Sequence, residues 1–340
     1  MAGDTNLKNV CIVGYGAIGP IHAAAVSKCP DAQLYAVCDT NLKRAEKCHE
    51  EYRATIYSDF DEVLKDESID SVHICTPHYL HAEMVEKAIN AGKDVVIEKP
   101  VAIKREELDR LMSISTDRKI CVMLQNRTNI SVQRLYDMVS NNTQDGKILG
   151  ICGLLTWQRT PEYYMADEWH GKWATEGGGL LINQAVHTLD IISWLGNGAN
   201  SVKGSISTKK LSDCIEVEDT ADALIALNKG VLGIFYGTNC YSANSPMNIE
   251  VSYEKAIYRY ADERLYKITD NKAEVIEDDN NNPVGKRYWG CGHSNVINSF
   301  YSSLAGKGGN YTTIKDAENT MRLLFAFYES AKNNGNEIKL

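Results

Sequence analysis

The sequence predicts two domains of different class. The first is an α/β domain built on a doubly wound parallel sheet. The second is an α+β domain built on a large, mostly antiparallel open sheet. Three observations carry this. The first third alternates short apolar runs with helical stretches. Beyond about residue 145, long β-like runs follow one another with little helix between them. The length of 340 residues suits two domains better than one or three.

The apolar runs of the first third are Val10–Val13, Leu34–Cys38, Ser71–Cys75, Asp94–Ile97 and Lys119–Met123. Most are apolar throughout rather than alternating, which suits parallel strands covered on both faces. Helices are predicted over Ile18–Lys28, over Asn41–Glu51 behind the cap Asp39-Thr40, and over His81–Ala91 with Gly92 at its end. The later strands are Ile148–Gln158, Ser201–Thr208, Thr220–Asn228, Val231–Asn239, Asn248–Tyr253, Ala256–Tyr260 and Leu265–Thr269. Asn228-Lys229-Gly230 and Asp270-Asn271 suit the turns of hairpins. One helix, Leu180–Leu195, interrupts the strands. A last helix runs from Asp316 to about Lys332, with Ala317, Met321, Leu324, Phe325 and Tyr328 on one face. Glu277–Pro283 is polar and turn-rich, so a loop is predicted there. The boundary falls between domains 1–125 and 126–340.

Composition excludes several classes. At 44% hydrophobic and 24% charged, the chain can bury a core and is not disordered. Lys plus Arg number 36 against 45 Asp plus Glu, a net charge of -9 without a basic run, so nucleic acid is not an expected partner. No apolar stretch reaches bilayer length, and MAGDTNLKNV lacks the blocks of a signal peptide. There are ten cysteines and no Cys-x-x-Cys, and Cys11, Cys38, Cys75 and Cys121 sit in apolar runs. A reduced, cytoplasmic protein without disulfides is expected.

Chemistry begins at GYGAIG, Gly14–Gly19, directly after the first strand and opening the first helix. Gly14 permits the tight turn, Gly16 lets a pyrophosphate reach the backbone, and Gly19 allows close helix–strand packing. The helix start adds N–H groups and partial positive charge. Asp39 ends the next strand, 20 residues past Gly19, where a carboxylate binds ribose hydroxyls. Dinucleotide binding follows. A carboxylate there disfavours a 2′-phosphate, so NAD is expected before NADP, with Lys43 and Arg44 close by. Asp39 could also cap the next helix.

Glu98-Lys99-Pro100 follows a predicted strand, where open α/β sheets bind ligands. Lys99 either faces the nicotinamide there or is a surface lysine. In the second domain, EGGG (Glu176–Gly179) opens LLINQAVHTLD. At spacings of four and three, Asn183, His187 and Asp190 share a helical face within an apolar helix, so they need partners or carry function. Tyr163, Tyr164, Trp169 and Trp173 precede the glycines and could stack on a sugar ring or fill the core. His73, His78, His81 and Cys291-Gly-His293 lack metal-ligand spacing, so no metal is expected.

These residues together resemble the Gfo/Idh/MocA oxidoreductases, which act on sugars, cyclitols and related compounds. The resemblance runs through GYGAIGPIHAAA (Gly14–Ala25, with His22 at the family's usual place), Cys75–Pro100, QNR (Gln125–Arg127), Glu176–Asp190, Glu218–Gly233 and Gly292–Gly306. It implies a Rossmann domain, then a domain with a large, mostly antiparallel sheet, and a site between them. It maps the family lysine to Lys99 and the family histidine to His187. Many members carry an acidic residue four before that histidine; here that position is Asn183, which departs from the pattern. Pro20 and His170 are smaller departures. The candidate cofactor set is Gly14, Gly16, Ala17, Ile18, Gly19, Asp39, Thr76, Pro77, His81, Glu98, Lys99 and Gln125. The candidate substrate set is Lys99, Arg127, Trp169, Trp173, Asn183 and His187, with Lys99, His187 and Asn183 catalytic.

The expected function is NAD-dependent hydride transfer at a secondary alcohol of a sugar, glycoside or cyclitol. One alternative is a redox-neutral enzyme that retains NAD and cleaves glycosides by oxidation and elimination. Another is a non-catalytic sensor of dinucleotide or sugar. Specificity is expected from loops such as Gln158–Trp173 and Glu277–Trp289. The resemblance also implies a homodimer or homotetramer, formed through the outer face of the second sheet.

Overall fold

Val10, Cys11, Ile12 and Val13 are 0–2% exposed, as an all-apolar strand between two helical layers must be. They belong to a six-stranded parallel sheet. A computed structural model describes residues 7–141, 144–279 and 292–340. Its elements begin with β1 (Lys8–Val13), α1 (Gly19–Val26), β2 (Ala32–Cys38), α2 (Leu42–Tyr52), β3 (Thr55–Tyr57), α3 (Phe60–Lys65) and β4 (Ser71–Ile74). They continue with α4 (His81–Asn90), β5 (Asp94–Ile97), α5 (Arg105–Ser113) and β6 (Ile120–Val122). The strand order is β3-β2-β1-β4-β5-β6, every pair parallel. The order reverses between β1 and β4, the point beyond whose carboxyl ends such sheets bind ligands. The α2 cap is Asn41, whose side chain accepts from Lys43 N–H at 3.1 Å, and not Asp39-Thr40 as expected.

The chain continues with α6 (Ile130–Ser140), β7 (Ile148–Thr156), α7 (Pro161–Met165), α8 (Leu180–Asn183), α9 (Val186–Leu195), β8 (Ala199–Ser207), β9 (Thr220–Leu227) and β10 (Leu232–Thr238). Then come β11 (Asn248–Tyr253), β12 (Ile257–Ala261), β13 (Arg264–Thr269), β14 (Lys272–Asp278), α10 (Gly292–Leu304), α11 (Ile314–Lys332) and β15 (Ile338–Lys339). Here nine strands run β14-β13-β12-β11-β7-β10-β9-β8-β15. All pairs are antiparallel except β7 with β10. Both expected turns join hairpins: Lys229 and Gly230 turn between β9 and β10, and Asp270 and Asn271, each with positive φ, turn between β13 and β14. In β9, Ala221, Ala223, Ile225 and Leu227 face inward and are at most 5% exposed, while Leu224 faces outward at 51%.

Three expectations are corrected. Glu277 and Asp278 close β14 rather than open a loop, because they pair with Leu265 and Arg264; residues 280–283 of that expected loop lie outside the described residues. Leu180–Leu195 is two helices. Leu180 O accepts both Gln184 N–H at 3.0 Å and Ala185 N–H at 2.8 Å, and this widened turn breaks the run. Nor does the chain divide simply at residue 125. Of the described residues, those up to Ala102, Glu106–Gln125 and Gly292–Asp316 form one compact unit, and the rest form a second. The cause is α10, whose Val296, Ile297, Phe300 and Tyr301 join Val10, Ile12, Ala23 and Val26 in the first unit's core.

No helix among the described residues is long and apolar enough to cross a membrane. Each described cysteine is a free thiol. Burial pushes Cys38 up to about 12 and Cys48 up to about 11, so both are unreactive small hydrophobes at neutral pH.

Candidate active site

The glycine loop leaves β1 with Gly14 at φ +90°, its N–H donating to Cys38 O at 2.8 Å. A methyl group at Gly14 would stand 2.6 Å from Cys75 O, and one at Gly19 would stand 2.4 Å from Gly14 O. At Gly16 the nearest atom would be Arg44 Nη1, at 4.0 Å. Two glycines are therefore required by packing, and the third leaves open backbone where a pyrophosphate would lie. The residues fit a dinucleotide. Ala17 is exposed, and Ile18 occupies the cap position of α1.

Asp39 anchors this loop. One carboxylate oxygen accepts Tyr15 N–H at 2.7 Å and the other accepts Asn41 N–H at 2.7 Å. A carboxylate has about four acceptor positions, so ribose hydroxyls can share it.

Lys99 is half-buried just past β5, joined to Pro100 by a cis peptide bond. Its backbone N–H donates to Glu98 Oε2 at 3.3 Å. The Glu98 carboxylate is buried. Burial opposes its charge, yet hydrogen bonds from His22 and His293 outweigh this and hold it well below the usual range. His22, Glu98 and His293 bring their ligand atoms within 4.8 Å of one another. His22 and Glu98 already bond directly at 3.0 Å, so the cluster reads as hydrogen-bonded.

His81 departs from its expected cofactor contact. It is fully buried, with Nδ1 2.6 Å from Pro100 O and Nε2 2.8 Å from Thr76 O. Both ring nitrogens face backbone carbonyls, and the single N–H of a neutral ring donates to one of them, so His81 sits between the Thr76-Pro77 loop and the segment after Lys99. Thr76 donates its hydroxyl to Met84 Sδ at 3.4 Å. Gln125 is 4% exposed in the turn after β6.

In the second unit, Asn183 closes α8 and His187 sits in the first turn of α9, both half-buried. Asn183 Nδ2 donates to Glu176 Oε1 at 2.6 Å, and Glu176 Oε2 accepts Gly171 N–H at 2.6 Å. Asn183 and Gln184 also approach Tyr163 OH, at 3.5 and 3.3 Å. The glycine entry is held by Glu218. Its oxygens accept Gly179 N–H at 3.0 Å, Leu181 N–H at 2.8 Å and Tyr328 OH at 2.8 Å. Burial raises the Glu218 carboxyl to about 7 against these bonds.

Asp190 does not join Asn183 and His187. It is 1% exposed and accepts two bonds from Arg127, at 2.6 and 2.9 Å, and one from Thr320 at 2.7 Å. Arg127 also lies over the Trp194 ring, 5.2 Å from its centroid. Its expected substrate contact gives way to a buried ion pair. Of the aromatics, Tyr164 is core, in a cluster with Leu211, Ile215 and Val217. Trp169 packs on His170, and Trp173, 36% exposed, donates Nε1–H to Glu216 O at 2.9 Å. Of the expected specificity loops, Gln158–Trp173 carries these contacts, and residues 280–289 lie outside the described residues.

Sequence reasoning gave no role to Glu176, Glu218, His73 or Tyr301. Glu176, Glu218 and Tyr301 stood inside the quoted motifs, and an acid directly before the glycines was the available signal for Glu176.

Comparisons with known proteins agree with this geometry. The model of an oxidoreductase family with an NAD-binding Rossmann fold matches residues 8–126, and the model of the Gfo/Idh/MocA C-terminal domain matches residues 132–259. The chain is 27% identical to YrbE, an uncharacterized oxidoreductase of Bacillus subtilis, over 54% of this chain and 52% of that protein. It thus spans about half the length of that relative. It is 25% identical to the myo-inositol 2-dehydrogenase of Thermotoga maritima, over 82% of this chain and 80% of that protein. The solved WlbA dehydrogenase of Bordetella pertussis, in complex with NADH and UDP-GlcNAcA, superposes with a TM-score of 0.86 at 26% identity, covering 98% of this chain and 99% of that one.

Proposed function

The chain belongs to the Gfo/Idh/MocA oxidoreductase family, and from that premise we propose that it transfers a hydride between a secondary carbinol carbon of a sugar, glycoside or cyclitol and the nicotinamide of NAD. The observation that carries this is the glycine loop at the sheet's switch point, open at Gly16 and anchored by Asp39, in a chain that also holds Lys99 at a strand end. Relatives named for myo-inositol and crystallised with a nucleotide sugar support the substrate class.

When bound, NAD supplies the hydride acceptor. The chain's own residues do the rest. Asp39 binds the ribose hydroxyls and repels a 2′-phosphate, which favours NAD over NADP. Lys99 hydrogen-bonds the reacting oxygen and stabilises developing alkoxide character. His187 accepts the hydroxyl proton. Asn183, held by Glu176, orients the substrate without becoming a base. In this reading the first unit binds the cofactor and the second binds the substrate and pairs with further copies. Free thiols support a reducing, cytoplasmic setting.

The test is to incubate purified protein with NAD and a panel of sugars, glycosides, cyclitols and sugar nucleotides, following NADH absorbance and products. NADH formation is expected, and His187→Ala should lower kcat about 10²–10⁴-fold with NAD affinity nearly unchanged. Glycoside cleavage without NADH accumulation would replace this reading with the redox-neutral one.

A further inference from the structure

Behind the glycine loop, inside the first unit, polar side chains run in an unbroken line. Ser71 Oγ lies 2.7 Å from Tyr301 OH, and that hydroxyl lies 2.8 Å from His73 Nε2. His73 Nδ1 lies 2.9 Å from His22 Nδ1, and His22 Nε2 lies 3.0 Å from Glu98 Oε1. Ser71 and His73 come from β4, Tyr301 from α10 and His22 from α1, and all four are 0% exposed. Helix packing alone needs none of these groups, since apolar side chains would fill the same space without desolvating polar atoms.

The line can be satisfied in one order only while its histidines are neutral. An ionised carboxylate only accepts, so His22 Nε2 must donate to Glu98, which makes His22 Nδ1 an acceptor. His73 Nδ1 must then donate, which makes its Nε2 an acceptor. Tyr301 donates to it, and Ser71 donates to Tyr301. Burial lowers the proton affinity of both histidines, in keeping with neutral rings. One proton added at His22 would reverse every bond behind it.

We propose that Ser71, Tyr301, His73 and His22 form a one-way donor chain that keeps the Glu98 carboxylate ionised and fixed beside Lys99, making His22 and Glu98 positioning residues for that lysine. The proposal rests on the reading of Lys99 as the residue that meets the reacting oxygen. Glu98 is the link, because its second oxygen accepts the Lys99 backbone N–H. Its other electrostatic neighbours are His293 of α10, Cys75 after β4, Cys121 of β6 and His81 of α4. Cys75 and Cys121 are buried thiols with raised pKa values, so they add no charge at neutral pH.

The test is nuclear magnetic resonance on the intact chain. With 15N-histidine, His22 should be the Nε2–H tautomer and His73 the Nδ1–H tautomer at pH 7. With 13Cε-lysine, the Lys99 titration should be followed in the parent and in variants. Glu98→Gln removes a negative charge and should lower the Lys99 midpoint by about one pH unit. His22→Phe should give a shift of the same sign, because a buried Glu98 that loses one of its two histidine donors and keeps only His293 takes up a proton more readily. Tyr301→Phe should give a smaller shift of the same sign. Phe300→Leu, a packing change in the same helix, should lower Tm and leave Lys99 unmoved. A His22 imidazolium or Nδ1–H tautomer would overturn the donor order. A Lys99 titration unchanged in both Glu98→Gln and His22→Phe would overturn the link. Parental turnover in Lys99→Ala would overturn the underlying reading of the lysine, and the tautomer signals tell that failure apart from a broken chain.

Discussion

Asn183 donates its side-chain N–H to the buried carboxylate of Glu176 at 2.6 Å. The acid that the resemblance implies at position 183 is therefore not simply missing, because a carboxylate stands one side chain further back. Asn183→Asp would set two carboxylates in contact, and they could not both ionise. A proton trapped between them gives the folded state a raised pKa, so its stabilising effect is lost as pH rises. The variant's Tm should approach the parent's near pH 5 and fall behind it by pH 8, checked by thermal melts across that range.

Asp39→Ala should weaken NAD binding by about 1.5–3 kcal/mol, the scale of a charged hydrogen bond. Part of that loss comes from the loop itself, since Asp39 also holds Tyr15 N–H. Calorimetry with NAD and NADP checks both the loss and the preference. Tighter NADP binding by the parent would contradict the role given to Asp39.

Glu218 predicts a pH dependence of stability. Burial raises its folded pKa to about 7, above the 4.5 of an ordinary glutamate. Between those values the folded state binds more protons than the unfolded, so stability falls as pH rises through this window. The full effect of one such group is about 3 kcal/mol. Glu218→Gln should flatten the slope of unfolding free energy between pH 5 and 7.5, measured by urea titration.

Asp190→Ala should cost about 3–5 kcal/mol, because it leaves the Arg127 guanidinium buried without its carboxylate. The double variant Arg127→Met with Asp190→Leu should lose much less, since apolar replacement of a buried pair is often near neutral. Urea unfolding of the two proteins separates these outcomes.

Leu154, Leu224, Leu232, Ile234 and Tyr236 are 38–51% exposed on one face of β7, β9 and β10. An apolar face of this kind marks an interaction surface. Light scattering should give the mass of a dimer or tetramer at micromolar concentration, and Ile234→Glu should reduce it to a monomer. A monomeric parent would count decisively against assembly through this face.

The parts of the fold that were legible were those written in local spacing. The all-apolar run Val10–Val13, the glycine loop and Asp39 lie within one strand–helix–strand unit, and Leu224 alternates plainly with buried neighbours. The pairing of β10 with β7 was not legible, because it joins parallel segments about 80 residues apart, whereas its hairpin with β9 was written in the turn between them. The break after Asn183 was hidden, since Leu180–Leu195 keeps an unbroken apolar pattern and only the widened turn at Leu180 O reveals it. Within the candidate site, motif and resemblance singled out Lys99 and Asn183 as candidates, and their positions at the end of β5 and of α8 follow from local spacing. Glu176 as the partner of Asn183 was not legible, because the chain must fold back through the glycines to bring them together. Asp190 took the first of its two readings, a partner rather than a function, but that partner was not legible, because Arg127 stands 63 positions earlier.

The return of α10 to the first unit has a consequence for biosynthesis. His73 meets Tyr301 across 228 positions of chain. At about 5–20 residues per second, the ribosome delivers Tyr301 roughly 10–50 s after His73. During that interval the nascent NAD-binding unit lacks the helix that covers Ala23 and Val26, and with it the hydroxyl that joins Ser71 to His73. The two units therefore cannot mature in simple N-to-C order. The first waits on nearly the whole of the second, and a fragment cut at Gln125 is an unfinished unit rather than a free-standing one.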